Sequence, residues 1–300
     1  MTFKQLLTNL GKLLICGIAF FAGTVIGGMV ARMLQLNPPT PPPGTDLGLL
    51  GFYSILTSPL LALALAVLAR GISGGRLTRT LVLAFLTWIA YTVNTQLEAS
   101  IFSTYAAGFW FAVVDYLVAS LLCGAAVAFL FPPENEGESL IAACRAFFGR
   151  RAAIDWMWRL VAAAIAFMPI YFLFGMMVVP FTAEYYRQNM FGLAMPTIDQ
   201  ILPILFIRSV LFLLACLPVI ILWQRSERSL FLRLGFALYV LVGFIFMLIS
   251  TWLPVYVRLP HALEILADEF VYAGVLVLLL AKRGARARER RSEVGQNATG

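Results

Sequence analysis

A single histidine, His261, stands in 300 residues, which excludes a three-histidine zinc site at once. Charge is equally scarce: Asp, Glu, Lys and Arg make up 12% of the chain against 61% hydrophobic residues, and the mean hydropathy is +0.88. A water-soluble domain carries about twice that share of charge, so the composition excludes a soluble globule. The four cysteines, Cys16, Cys123, Cys144 and Cys216, contain no CxxC pair and none falls in a candidate outer loop, so neither a disulfide framework nor a zinc ribbon is supported. The chain also lacks a GxSxG elbow, an HExxH motif, a phosphate loop and the paired glutamates of a membrane protease. No cofactor is expected, and the enzyme class gains no support from motifs.

What the chain does have is long apolar runs. Segments 13–34, 47–69, 107–131, 160–180, 198–223 and 234–253 are each long enough to cross a bilayer, and a more polar one starts near Leu81. The first is too long for a secretory h-region and is not followed by a small-residue cleavage site, so it reads as a retained span. With a closing helix in 258–283, the expected fold is all-α: a polytopic integral membrane helical bundle of about eight transmembrane helices. Ala19, Gly23, Gly27 and Ala31 recur every four residues in the first span, a small-residue stripe that lets another helix of the same protein approach closely. The run NPPTPPPGTD at 37–46 cannot be helical and reads as an extended connector. Pro169 is the expected kink of the fifth span.

Placing both termini on the cytoplasmic side puts 18 of the 22 Lys and Arg residues on inner segments, leaving Arg32, Arg187, Arg208 and Arg258. That bias fixes the orientation expected in a cell (inner or plasma) membrane, and it explains the net charge of +7 without nucleic acid. The expected partners are the lipid bilayer and a small polar or charged solute.

The chain also resembles itself. Asp115 opens DYLVAS and Asp268 opens DEFVYA, 153 residues apart; Arg79 and Arg233 are 154 apart; Gly28 opens GMVA and Gly175 opens GMMV, 147 apart. These offsets predict a tandem parallel repeat of two four-helix halves, 1–131 and 158–283. Between them, 132–157 forms a cytoplasmic linker with an interfacial amphipathic helix, and 284–300 is a basic, disordered tail.

Segment 258–283 carries the functional expectation. Its uncharged stretch, 270–281, is about 18 Å long as a helix, against a hydrocarbon layer of about 30 Å. To cross, the helix must begin near Ala262 and take Glu264, Asp268 and Glu269 below the membrane surface, with Asp268 about 10 Å deep. His261, Glu264 and Asp268, spaced i, i+3, i+7, share one face; Tyr272 continues it and Glu269 flanks it. Unpaired charge facing lipid is costly, so this face turns toward protein or a wet cavity. Asn94 and Glu98 on the third span, Asp115 on the fourth, Arg208 near the midplane of the sixth and Arg258 before the eighth fall on the same outer half. A guanidinium keeps its charge when buried, so Arg208 requires a carboxylate, and Asp268 and Asp115 lie at matching depth. Glu98, Glu184, Arg187 and Arg258 lie nearer the outer surface, where a solvated role is the simpler one. A mixed His261, Glu264 and Asp268 metal site would need further ligands from other helices, so no metal is expected.

Together these residues predict an outward-facing intramembrane polar cavity for transport or permeation of a small polar or charged solute, with Arg208 as an anion clamp. Two other classes compete. An enzyme on lipid or lipid-linked substrates would use His261 with Glu264 for acid-base work. A scaffold would use the charged cluster only to hold helices together.

Overall fold

The computed structural model describes residues 2–42, 44–104, 108–133, 137 and 139–281. The basic tail at 284–300 and, in the linker, residues 134–136 and 138 with Glu134, Glu136 and Glu138 lie outside the described residues. Among those residues there are no strands, only helices and two isolated β-bridges, and seven helices are long and apolar enough to cross a membrane. They are α1 (Phe3–Met33), α2 (Leu47–Ala69), α3 (Arg76–Phe102), α4 (Phe109–Leu130), α6 (Ala153–Arg187), α7 (Ile198–Ile221) and α8 (Glu227–Ile249), with the short α5 (Leu140–Phe148) between α4 and α6. The eighth long helix, α9, runs from Val255 to Leu276 and continues as a π-helical turn, Val277–Ala281. Its acidic residues keep it out of the seven, although its length of about 40 Å exceeds a hydrocarbon layer.

The bundle is apolar outside as well as inside. Large side chains such as Ile18 and Val25 on α1 and Leu173, Met176 and Met177 on α6 stay exposed, the surface a chain presents when its solvent is lipid. The least buried spans are α1 and α6, with 28% and 22% of their apolar windows covered against 39% or more elsewhere, so the first helix of each half stands at the rim.

Packing repeats between the halves. In the first, α1 packs on α2 and α4, and α4 on α3; in the second, α6 packs on α7 and α9, and α9 on α8. Asp46 and Thr197 cap the second helix of each half, and Gly75 and Ser226 the third, 151 residues apart in both cases. Both third helices hold a π-helical turn at the same place, Trp88–Val93 and Val240–Phe244. Ile72 and Trp223, also 151 residues apart, form an isolated antiparallel bridge. The halves join through α2 on α8 and α3 on α7, so each half lends its third helix to the other.

Arg79 and Arg233 are 154 apart against 151 for the helix caps, and their contacts differ. Arg79 is 1% exposed and donates to the carbonyls of Ala69, at the end of α2, and of Ala128 and Phe131, at the end of α4. It thus satisfies acceptors that two helix ends leave free. Arg233 reaches the Val67 carbonyl and lies over the Trp223 ring.

The small-residue stripe is a packing face within the chain. A Cβ on Gly27 would lie 2.2 Å from the Asp115 carbonyl oxygen and one on Gly23 2.4 Å from the Ala119 Cα, so α1 and α4 touch backbone to backbone. Pro169 and Pro180 sit inside an uninterrupted α6. In α5, Phe147 is buried and tilts against the Trp156 ring 4.8 Å away, docking that helix on the bundle.

Candidate functional site

Among the described residues each half holds a cavity. The cavity of the second half, about 300 Å³, is lined by α6, α7, α8 and α9 with α3 from the other half. Six of the ten residues expected from sequence meet there: Glu98, Arg208, His261, Glu264, Asp268 and Glu269. The spacing of the last four on one helix puts them on the cavity side, as an amphipathic helix in lipid requires.

Arg208 is 2% exposed and its Nη2 donates to Glu98 Oε2 at 2.9 Å. This corrects the expectation that Asp268 or Asp115 holds it. Glu98 is no solvated surface group: α3 packs on α7, which carries it across to the arginine. Depth along a helix is legible from sequence; the neighbour across the gap is not. The guanidinium also lies 5.6 Å from the Phe167 centroid and 5.5 Å from that of Tyr171, within cation–π range.

With Arg208 engaged by Glu98, Asp268 and Glu269 of α9 lack a strong partner. Asp268 Oδ1 and both oxygens of Glu269 are buried and accept no hydrogen bond among the described residues. Burying a polar group without a partner costs about 1–3 kcal/mol, and more when it is charged, so a water, proton or ligand cation is required beside them. Nearer the end of the helix, His261 Nδ1 lies 2.7 Å from Glu264 Oε2, and Tyr186 Oη is 3.1 Å from His261 Nε2. Tyr186, His261 and Glu264 therefore form a hydrogen-bonded chain along the cavity wall. Tyr171, Tyr186, Thr95 and Thr182 join the lining. Phe167 and Tyr171, one helical turn apart, gave the only trace of this in the sequence.

The other four expected residues lie elsewhere. Asp115 lines the cavity of the first half, not this one. Tyr272 is fully buried behind the site with its ring against Phe167 and Phe212. Asn94 is buried with neither amide atom hydrogen-bonded among the described residues. Arg258 is half-buried and donates to the Met247 carbonyl at 3.2 Å, closing the turn between α8 and α9 instead of facing solvent. Glu184 and Arg187 pair loosely at 4.0 Å, both exposed. Among the described residues no group of three or more His, Cys, Asp or Glu side chains is arranged to hold a metal ion.

Fold and site together define a multi-pass all-α membrane bundle with charged groups held inside it. Comparison with family models, curated proteins and solved structures finds no match to this chain.

Proposed function

We propose that the chain moves a small cationic or proton-exchanging solute across a cell membrane through the cavity of its second half. The observation that carries this reading is the acidic excess inside the bundle: Glu98, Glu264, Asp268 and Glu269 face one cavity, with Arg208 the only permanent cation on its wall among the described residues. Arg208 is already paired, so the anion-clamp role expected from sequence gives way to a role in holding Glu98 and the two halves in place. The unpartnered oxygens of Asp268 and Glu269 are the exchange sites. Proline-containing α6 and α7 line the cavity as continuous helices. Both termini face the cytoplasm in this proposal, an orientation supported by the 18 of 22 basic residues it places inside.

The test is proton movement in vesicles reconstituted with the protein, loaded with a pH dye and challenged in turn with choline, 2-aminoethanol and guanidine. At least one cation should drive protein-dependent proton exchange, and Asp268→Asn or Glu269→Gln should remove it while the fold survives. Equal signals in empty vesicles and in both variants would end the transport reading.

A second reading has one specific observation behind it. The Tyr186, His261 and Glu264 chain is an acid-base relay at hydrogen-bond distance, which an enzyme acting on lipid-linked substrates would require. Loss of lipid turnover in His261→Ala, with proton exchange unchanged, would favour it.

A further inference from the structure

The cavity of the first half, about 540 Å³, is not part of the proposed transport site, and it is built on the same plan. The two linings correspond at the offsets of the chain's own repeat: Phe20, Thr24 and Gly28 on α1 match Phe167, Tyr171 and Gly175 on α6, each 147 residues on, and Thr57 on α2 matches Arg208 on α7, 151 on. The contact of Gly28 with Phe111 repeats as that of Gly175 with Glu264, and its offset in the fourth helix of each half, 153, is also the offset from Asp115 to Asp268.

One difference stands out. In the second half the protein supplies its own cation, the Arg208 guanidinium, over the rings of Phe167 and Tyr171. In the first half that position is Thr57, and a neutral hydroxyl replaces the guanidinium. The surroundings remain those of a cation site. Phe20, Tyr91 and Tyr116 form a cluster with centroids 5.2–6.1 Å apart, and all three line the cavity with Asp115. Asp115 Oδ1 is buried and has no hydrogen-bond partner among the described residues. Arg32 lies at the exposed rim, about 7 Å further along α1 than Gly27, against which Asp115 packs, and makes no ion pair with Asp115.

We infer that the first-half cavity binds an organic ammonium ion, its charge against Asp115 and its body on the rings of Phe20, Tyr91 and Tyr116, in the place that Arg208 takes in the second half. An ammonium ion combines the charge-assisted hydrogen bond that Asp115 lacks with the attraction of three aromatic faces, and the larger volume leaves room for an organic group.

The probe is benzylammonium, with benzyl alcohol as the neutral isostere, titrated calorimetrically into the full chain in lipid nanodiscs. Benzylammonium should bind saturably and at least tenfold more tightly than the alcohol. Asp115→Asn should weaken it about tenfold or more, and Thr57→Arg, which installs the second half's own cation, should abolish it. Asp268→Asn should leave it unchanged, which separates this site from the transport cavity. Equal binding of amine and alcohol overturns the inference even where none of the variants can be purified. Binding unaffected by Asp115→Asn, or lost in Asp268→Asn instead, also overturns it while leaving the transport reading intact.

Discussion

Replacing Arg208 with Leu should destabilise the protein strongly, and replacing Glu98 with Leu in the same chain should restore most of the loss. The guanidinium is 2% exposed and 2.9 Å from a carboxylate that is 31% exposed. Removing one partner of a fully buried pair costs about 3–5 kcal/mol, because the other charge stays buried alone. Arg208→Leu leaves Glu98 beside Asp268 and Glu269 but one-third open to the cavity, so its electrostatic cost falls to about 2–3 kcal/mol. Loss of the two ring contacts adds about 1 kcal/mol. Glu98→Leu strands a guanidinium with almost no access to water, and the cost stays near 3–5 kcal/mol. The double variant removes both charges and fills the gap with apolar groups, which is close to neutral, so the two changes should couple by about 6–9 kcal/mol, the sum of the two single losses. A double-mutant cycle measured by unfolding in mixed micelles reads this directly. Additive losses would refute the pairing, and rescue of Arg208→Leu by Asp268→Leu in place of Glu98→Leu would show that a different carboxylate holds the arginine.

Gly27→Leu drives a side chain into the Asp115 backbone, which a Cβ alone would approach to 2.2 Å; it should separate α1 from α4 at a cost of at least about 2 kcal/mol, read by unfolding in the same micelles. Arg79→Met abandons carbonyls at the ends of two helices and should cost about 2–4 kcal/mol; a loss under about 1 kcal/mol in the same micelles would count against the capping role. For orientation, a membrane-impermeant maleimide applied to intact cells should label Glu184→Cys and not Arg145→Cys, and the reverse pattern would invert the topology. His261→Ala removes the link between Tyr186 and Glu264 and should slow proton exchange in vesicles at a cost in stability of about 1–3 kcal/mol, since Glu264 loses its partner; unchanged exchange would count against the relay.

The number and extent of the apolar helices, and the acidic content of the last one, follow from the sequence alone. A run that must span about 30 Å of hydrocarbon has its length written in consecutive residues, and the only way for α9 to reach across is to take Glu264 and Asp268 with it. The close contact of α1 was legible for a similar reason, since glycines every fourth residue mark one face. Rotation about the helix axis was legible only within a helix, as in the shared face of His261, Glu264 and Asp268. Which helix stands opposite was not, because partners are chosen by packing between segments far apart in the chain: Glu98 meets Arg208 across 110 residues because each half lends its third helix to the other. The same exchange divides the polar residues between two cavities, placing Asp115 in one and Asp268 in the other, although both lie at the same depth and in matching sequence. Composition and length fix what a helix must carry into the membrane; only the tertiary structure decides what it meets there, since azimuth and neighbour are properties of the bundle and of no single segment.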